Sequence, residues 1–244
     1  MPLSCPVRRR HSAPIPNRLT SMGRPVMTIP SWRQLFAGVL VVGPPVALAV
    51  LEIFHPHPPH DLFQLDVRTW LWVHYLQIPL FPLAALAVVV LVRDASGFAA
   101  GLCRVSIFAF AVIFTVFDTA AGIVTGTLLQ AAHRTDTPEA WREPVMAIWE
   151  HPILGGSRNI TPVLAVVGSL AWLVGTVAAA VAVRRAGSSW VPVVLLVASA
   201  LGLTVFRTHA WPGGPVTFGA LGAAGAWLQW ESVRQAKKRA GDVP

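Results

Sequence analysis

Six long apolar runs joined by short polar segments constrain this chain more than any other feature of its sequence. A hydrocarbon core about 30 Å thick takes roughly 20 apolar residues of helix to cross. Spans are predicted near Leu35–Phe54, Thr69–Val92, Val105–Ala131, Ile160–Val183, Trp190–Val205 and Pro215–Trp230. The last two are the shortest, and a hairpin that only just spans, or a re-entrant pair, is the alternative for them. A closed β-barrel would also satisfy its backbone, but it needs short segments that alternate apolar and polar residues. The run Ala84–Val92 does not alternate. With 54% hydrophobic and only 12% charged residues, an ordinary soluble domain is excluded as well. The expected fold class is an all-α integral membrane protein, a bundle of about six transmembrane helices.

Charge gives the bundle an orientation. With six spans, Arg8, Arg9, Arg10, Arg18, Arg24, Arg33, Arg93, Arg104, Arg184, Arg185, Arg234, Lys237, Lys238 and Arg239 fall on one side. The other side holds Arg68, Arg134, Arg142, Arg158 and Arg207, diluted by Asp61, Asp66, Asp136, Glu139, Glu143 and Glu150. The positive-inside rule puts both termini in the cytoplasm. The same asymmetry explains the net charge of +8 without nucleic acid, because the basic side faces anionic headgroups. The expected partners are therefore the lipid bilayer and other membrane proteins. The predicted organisation is a disordered basic tail over 1–30, a six-helix domain over 31–231 and a basic tail over 232–244. Residues 1–30 precede a span rather than a small-residue cleavage site, so they do not read as a removable signal peptide. Arginine far outnumbers lysine and Ala, Val and Gly abound, a pattern of GC-rich bacterial genomes; the expected location is a bacterial plasma membrane. Cys5 and Cys103 both fall on the cytoplasmic side, where no structural disulfide is expected.

Tryptophan tests this topology independently, since its ring and single N–H donor suit the headgroup zone. Trp32, Trp190, Trp227 and Trp230 lie at predicted inner boundaries, Trp70, Trp72 and Trp211 at outer ones, and Trp172 alone falls mid-span. In the long outer loop, Trp141, Val145, Ile148 and Trp149 recur at helical spacing behind Thr137 and Pro138. A short helix lying on the outer leaflet is the expectation there.

The polar residues near the outer end carry the functional reading. Seven of the eight histidines fall on the outer side or in the outer third, most densely in Glu52–Asp61. Imidazole and carboxylate are the usual protein ligands of zinc and other divalent metals. The prolines of that stretch hold it extended, so His55 and His57 point to opposite sides. Asp118 sits near the middle of the third span, where an ionised carboxylate costs about 2.5–3.5 kcal/mol unless it is paired. Glu52 lies about one turn inside the first span, within snorkelling reach of the interface, and His74 at a similar depth in the second. Glu52, His55, His74 and Asp118 are the candidate metal ligands, converging in an outward-opening cavity, with Glu52, His74 and Asp118 as catalytic candidates and Thr115 and Thr119 supplying hydroxyls. The structural alternative for Asp118 is an interhelical hydrogen bond. His209 reads as a solvated residue of the last turn.

Small residues supply packing signals. Gly122 and Gly126, spaced by four, let another helix approach closely just beyond Asp118. Gly155-Gly156-Ser157-Arg158-Asn159 has two readings, an anion-binding nest at the start of the fourth span or a flexible loop ending in a helix cap. There is no P-loop, no Gly-x-Ser-x-Gly elbow and no Cys pair. Two functional classes follow. One is a small permease or accessory membrane subunit with an intramembrane carboxylate and no cofactor. The other is a membrane-embedded hydrolase that uses zinc or another divalent metal on a lipid or envelope substrate.

Overall fold

In the computed structural model of the chain, residues 32–157 and 159–241 are described. The expected amino-terminal tail over 1–30, Cys5 and Arg158 lie outside them. All regular structure among the described residues is helical. The main elements are α1 (Trp32–Leu51), α2 (Val67–Leu91), α3 (Phe98–Phe117), α4 (Thr125–Ala132), α5 (Arg142–Trp149), α6 (Val163–Arg185), α7 (Trp190–Phe206) and α8 (Gly213–Gly241). A π-helical stretch, Asp118–Val124, joins α3 to α4 without a break. Among the described residues, three helices are long and apolar enough to cross a membrane: Val67–Leu91, Phe98–Ala132 and Val163–Arg185. Leu35–Leu51 and Trp190–Phe206 are shorter apolar helices.

The boundaries that differ from expectation have local causes. α3 begins at Phe98 rather than Val105, because Gly97 takes a positive φ of 89° that admits a sharp entry. Arg104, which makes that segment look polar, turns back to donate to the carbonyls of Val92 and Ala95, both at 2.9 Å. It thereby covers the exposed carbonyl end of α2. α6 starts at Val163, not Ile160, since Pro162 disfavours helical backbone in the residue before it. α8 runs on through Gly241, so most of the basic segment expected as a tail from 232 is helix, with Arg234 stacked 4.5 Å over the Trp230 ring.

Packing arranges the long helices as a ring in chain order: α1 on α2, α2 on α3, α3 on α6, α6 on α7, α7 on α8, and α8 back on α1. Successive long helices run antiparallel, so loops 52–66, 133–162 and 207–212 meet at one end. The ring closes over Phe81, Phe110, Phe114, Trp172 and Phe218, whose rings stack at 4.6 to 6.2 Å. Trp172, expected mid-span, is fully buried there and donates its indole N–H to the Ser199 carbonyl at 3.0 Å. The outward faces expose Val39, Val46, Leu83, Leu86, Phe108, Val112, Val194 and Leu201. Such a continuous apolar surface is compatible with a membrane location and is far larger than a soluble monomer presents.

The outer-loop helix forms as the spacing predicts, as a 3₁₀ turn (Pro138–Trp141) leading into α5. Its apolar side does not lie on a leaflet. Val145 and Trp149 are buried against Leu62, Leu65, Trp70, Leu71 and Leu129, so α5 is packed onto the bundle end.

Candidate metal centre

At that end, α2 presses against the π-helical stretch. A side chain at Gly126 would strike Leu71 and Trp70, and one at Gly122 would overlap the His74 imidazole. The small-residue spacing thus serves the close approach predicted for it. A π stretch inserts an extra residue into a helix, which frees backbone carbonyls. The Trp70 indole donates to the carbonyl of Gly122 at 2.8 Å. One turn on, His74 Nδ1 donates to the Trp70 carbonyl at 2.7 Å. A carbonyl only accepts, so this bond places the His74 proton on Nδ1 and leaves Nε2 with a free lone pair. That Nε2 lies 3.7 Å from Asp118 Oδ1, at the head of the π stretch.

His55 reaches the same point from the end of α1. Its Nδ1 donates to the Pro56 carbonyl at 2.9 Å, and its buried Nε2 finds no hydrogen-bond partner among the described residues. The prolines separate it from His57 as expected. His57 is exposed and donates from Nε2 to the Trp211 carbonyl at 3.1 Å. The third imidazole is His209, from the turn between α7 and α8. The expectation that it is solvated is overturned: its Nε2 is buried without a hydrogen-bond partner among the described residues and sits 3.8 Å from Asp118 Oδ1. Ring centroids are 4.9 Å apart for His55–His74 and for His55–His209, and 6.4 Å for His74–His209. One ligand nitrogen from each of the three lies within 4.8 Å of the others. Burial pushes His55 down to about 4, and holds His209 well below the usual histidine range with help from His55 and His74. Both are thereby kept in the neutral form that ligates metals.

Asp118 is fully buried, and neither carboxylate oxygen accepts a hydrogen bond from the described residues. The structural alternative of an interhelical hydrogen bond is therefore not what its surroundings provide. Thr115 and Thr119 do not supply hydroxyls to it. Each donates instead to the carbonyl four residues back, Ala111 and Thr115 respectively, both at 2.7 Å. Glu52 is placed differently from the other three candidate ligands. It is buried rather than snorkelled, its Oε1 accepts from Gln77 Nε2 at 2.7 Å, and its side chain packs where a Cβ on Gly214 would lie. The cluster of imidazoles that could share a metal is His55, His74 and His209, without Glu52.

A cavity of about 140 Å³ opens over this cluster, walled by Phe114, Phe117, Ala121, Ala165, Leu203 and Trp149, with Arg207 and His57 also lining it. The Gly155–Ser157 segment is folded beneath Trp149 and is no anion nest. The amides of Gly155, Gly156 and Ser157 donate to the carbonyls of His151 and Trp149, at 2.8, 3.1 and 3.1 Å. No protein-family model, curated protein or solved structure matches this chain.

Proposed function

We propose that the chain is a metal-dependent membrane hydrolase whose divalent metal, zinc by ligand chemistry, is held by His55, His74 and His209. The observation that carries this reading is the convergence of three imidazole nitrogens within 4.8 Å beside a buried carboxylate. Three neutral imidazole nitrogens would suit zinc, which nitrogen ligands favour. The Trp70 and Pro56 carbonyls accept from Nδ1 of His74 and His55, which fixes both tautomers and leaves each Nε2 free for a ligand. A set of three imidazoles with no further ligand would suit a catalytic rather than a structural metal.

Asp118 then serves as general base. A divalent metal held by the three imidazoles would supply Lewis-acid activation of water and of the ester, and Asp118 would take the proton that the attacking water gives up as the bond from the ester's electrophilic atom to its leaving oxygen breaks. Asp118 returns the proton to that oxygen. The apolar walls of the cavity support a lipid or envelope ester as substrate. On this reading the six long helices all cross a bacterial plasma membrane, both termini are cytoplasmic, and the metal lies near the outer face. The bilayer is then the partner of the outward apolar surface.

Elemental analysis of the detergent-purified chain tests the proposal. About one zinc or similar ion per chain is expected, with occupancy reduced roughly 10-fold or more in His74→Ala, which loses a ligand of the closed set. Stoichiometry near zero after metal-replete purification rules the reading out.

A further inference from the structure

Arg207 is the one non-glycine residue among those described with a positive φ, at φ 52° and ψ 29°. It caps α7 in the left-handed conformation that glycine or asparagine usually supplies, where any other side chain is strained. The strain buys no ion pair: none of the salt bridges among the described residues involves Arg207. Its position does have a consequence. Arg207 stands two residues before His209 and lines the metal-centre cavity from the exposed rim. Directly behind it, Val205 and Phe206 are exposed on the apolar outer surface of the bundle. The rim thus sets a permanent guanidinium between a lipid-facing surface and three imidazoles.

Building on the hydrolase reading, we infer that Arg207 binds the phosphate group of an amphiphilic substrate and presents it to the metal centre. A guanidinium offers paired N–H donors that match two phosphate oxygens at once, which neither the histidines nor a metal alone provides. The apolar walls of the cavity and the exposed Val205 and Phe206 take the hydrocarbon. A free anion would use the first part of this site and leave the second idle.

Isothermal titration of the full chain in detergent tests the assignment. The probes are dihexanoyl phosphatidic acid, dihexanoylglycerol and inorganic phosphate, each with metal-replete and chelator-stripped protein. Phosphatidic acid is expected to bind more tightly than either of the other two. Arg207→Gln should weaken phosphatidic acid by roughly 10-fold or more, leave dihexanoylglycerol unchanged and leave metal content unchanged, because a charge-assisted pair is lost and no ligand is touched. Arg207→Gly controls for folding: glycine accepts the left-handed backbone, so this variant should melt at a higher temperature while losing the same affinity. Unaltered phosphatidic acid affinity in both variants overturns the inference. So does inorganic phosphate or dihexanoylglycerol binding as tightly as phosphatidic acid to the unmodified chain. The two readings fail separately: a chain without metal that still shows Arg207-dependent phosphate binding ends the hydrolase, and a metal-loaded chain indifferent to Arg207 ends the phosphate site.

Discussion

At the residue scale, the tautomers decide what His55 and His74 can do. Each spends Nδ1 on a backbone carbonyl, leaving Nε2 for a ligand. His209 completes the set, and its contribution separates a metal site from a stack of buried aromatic rings. His209→Ala should lower metal occupancy roughly 10-fold or more, whereas His57→Ala, at an exposed ring bonded only to the Trp211 carbonyl, should leave it unchanged. Asp118→Asn should keep the metal and slow turnover by roughly 10²–10⁴-fold, since an amide cannot take a proton from water. Elemental analysis beside an ester-hydrolysis assay reads both outcomes. Asp118 and His74 were legible in the sequence because a polar group inside an apolar run must find a reason to be there. His209 was not, because a histidine between Thr208 and a Pro-Gly-Gly turn looks like surface. Its one signal was Gly214, which has no room for a side chain against the His209 carbonyl and Glu52.

At the element scale, the π-helical stretch sets the register of the site. Hydropathy predicted one continuous apolar span over Val105–Ala131, yet a single extra residue in a turn leaves no trace in a pattern read at helical period. The glycines within and after it were legible as a close approach, though not which helix would use it. That helix is α2, and its nearest side chain is His74. Gly122→Ala should therefore push the imidazole off Asp118 as well as overpack the interface. A loss of about 1–3 kcal/mol in thermal stability is expected for the packing alone. Metal occupancy should fall with it, and Gly126→Ala, which meets Leu71 and Trp70 instead of a ligand, should cost stability while sparing occupancy relative to Gly122→Ala. Equal metal loss in the two variants would mean that His74 is not held by this contact.

At the scale of the whole molecule, chain order and charge act together. The apolar helices were readable one by one, three of them long enough to cross a membrane, but their pairing was not, since outward-facing and helix-facing side chains are equally apolar. Closing the ring by packing α8 on α1 is what carries the turn containing His209 to the end of α1 where Glu52 and His55 lie. The same up-and-down course puts Arg93, Arg184, Arg185, Arg234, Lys237 and Lys238 at the end opposite the histidine cluster. Only Arg68, Arg134, Arg142 and Arg207 of the described basic residues stand at the histidine end, where Arg142 is paired with Asp61 and Glu139 at 3.3 and 2.9 Å. Positive charge resists translocation, so the basic end should stay in the cytoplasm and the histidines should face out. Reporter fusions after Ser96, Gly187 and Pro244 should then read cytoplasmic, and those after Pro58, Asp136 and Gly213 periplasmic. The fusion after Gly213 is the most exacting, because α7 is only 17 residues long. If it reads cytoplasmic while the one after Asp136 reads periplasmic, α7 does not cross. His209 would then be on the wrong side of the bilayer from His55 and His74, and the shared metal centre could not form.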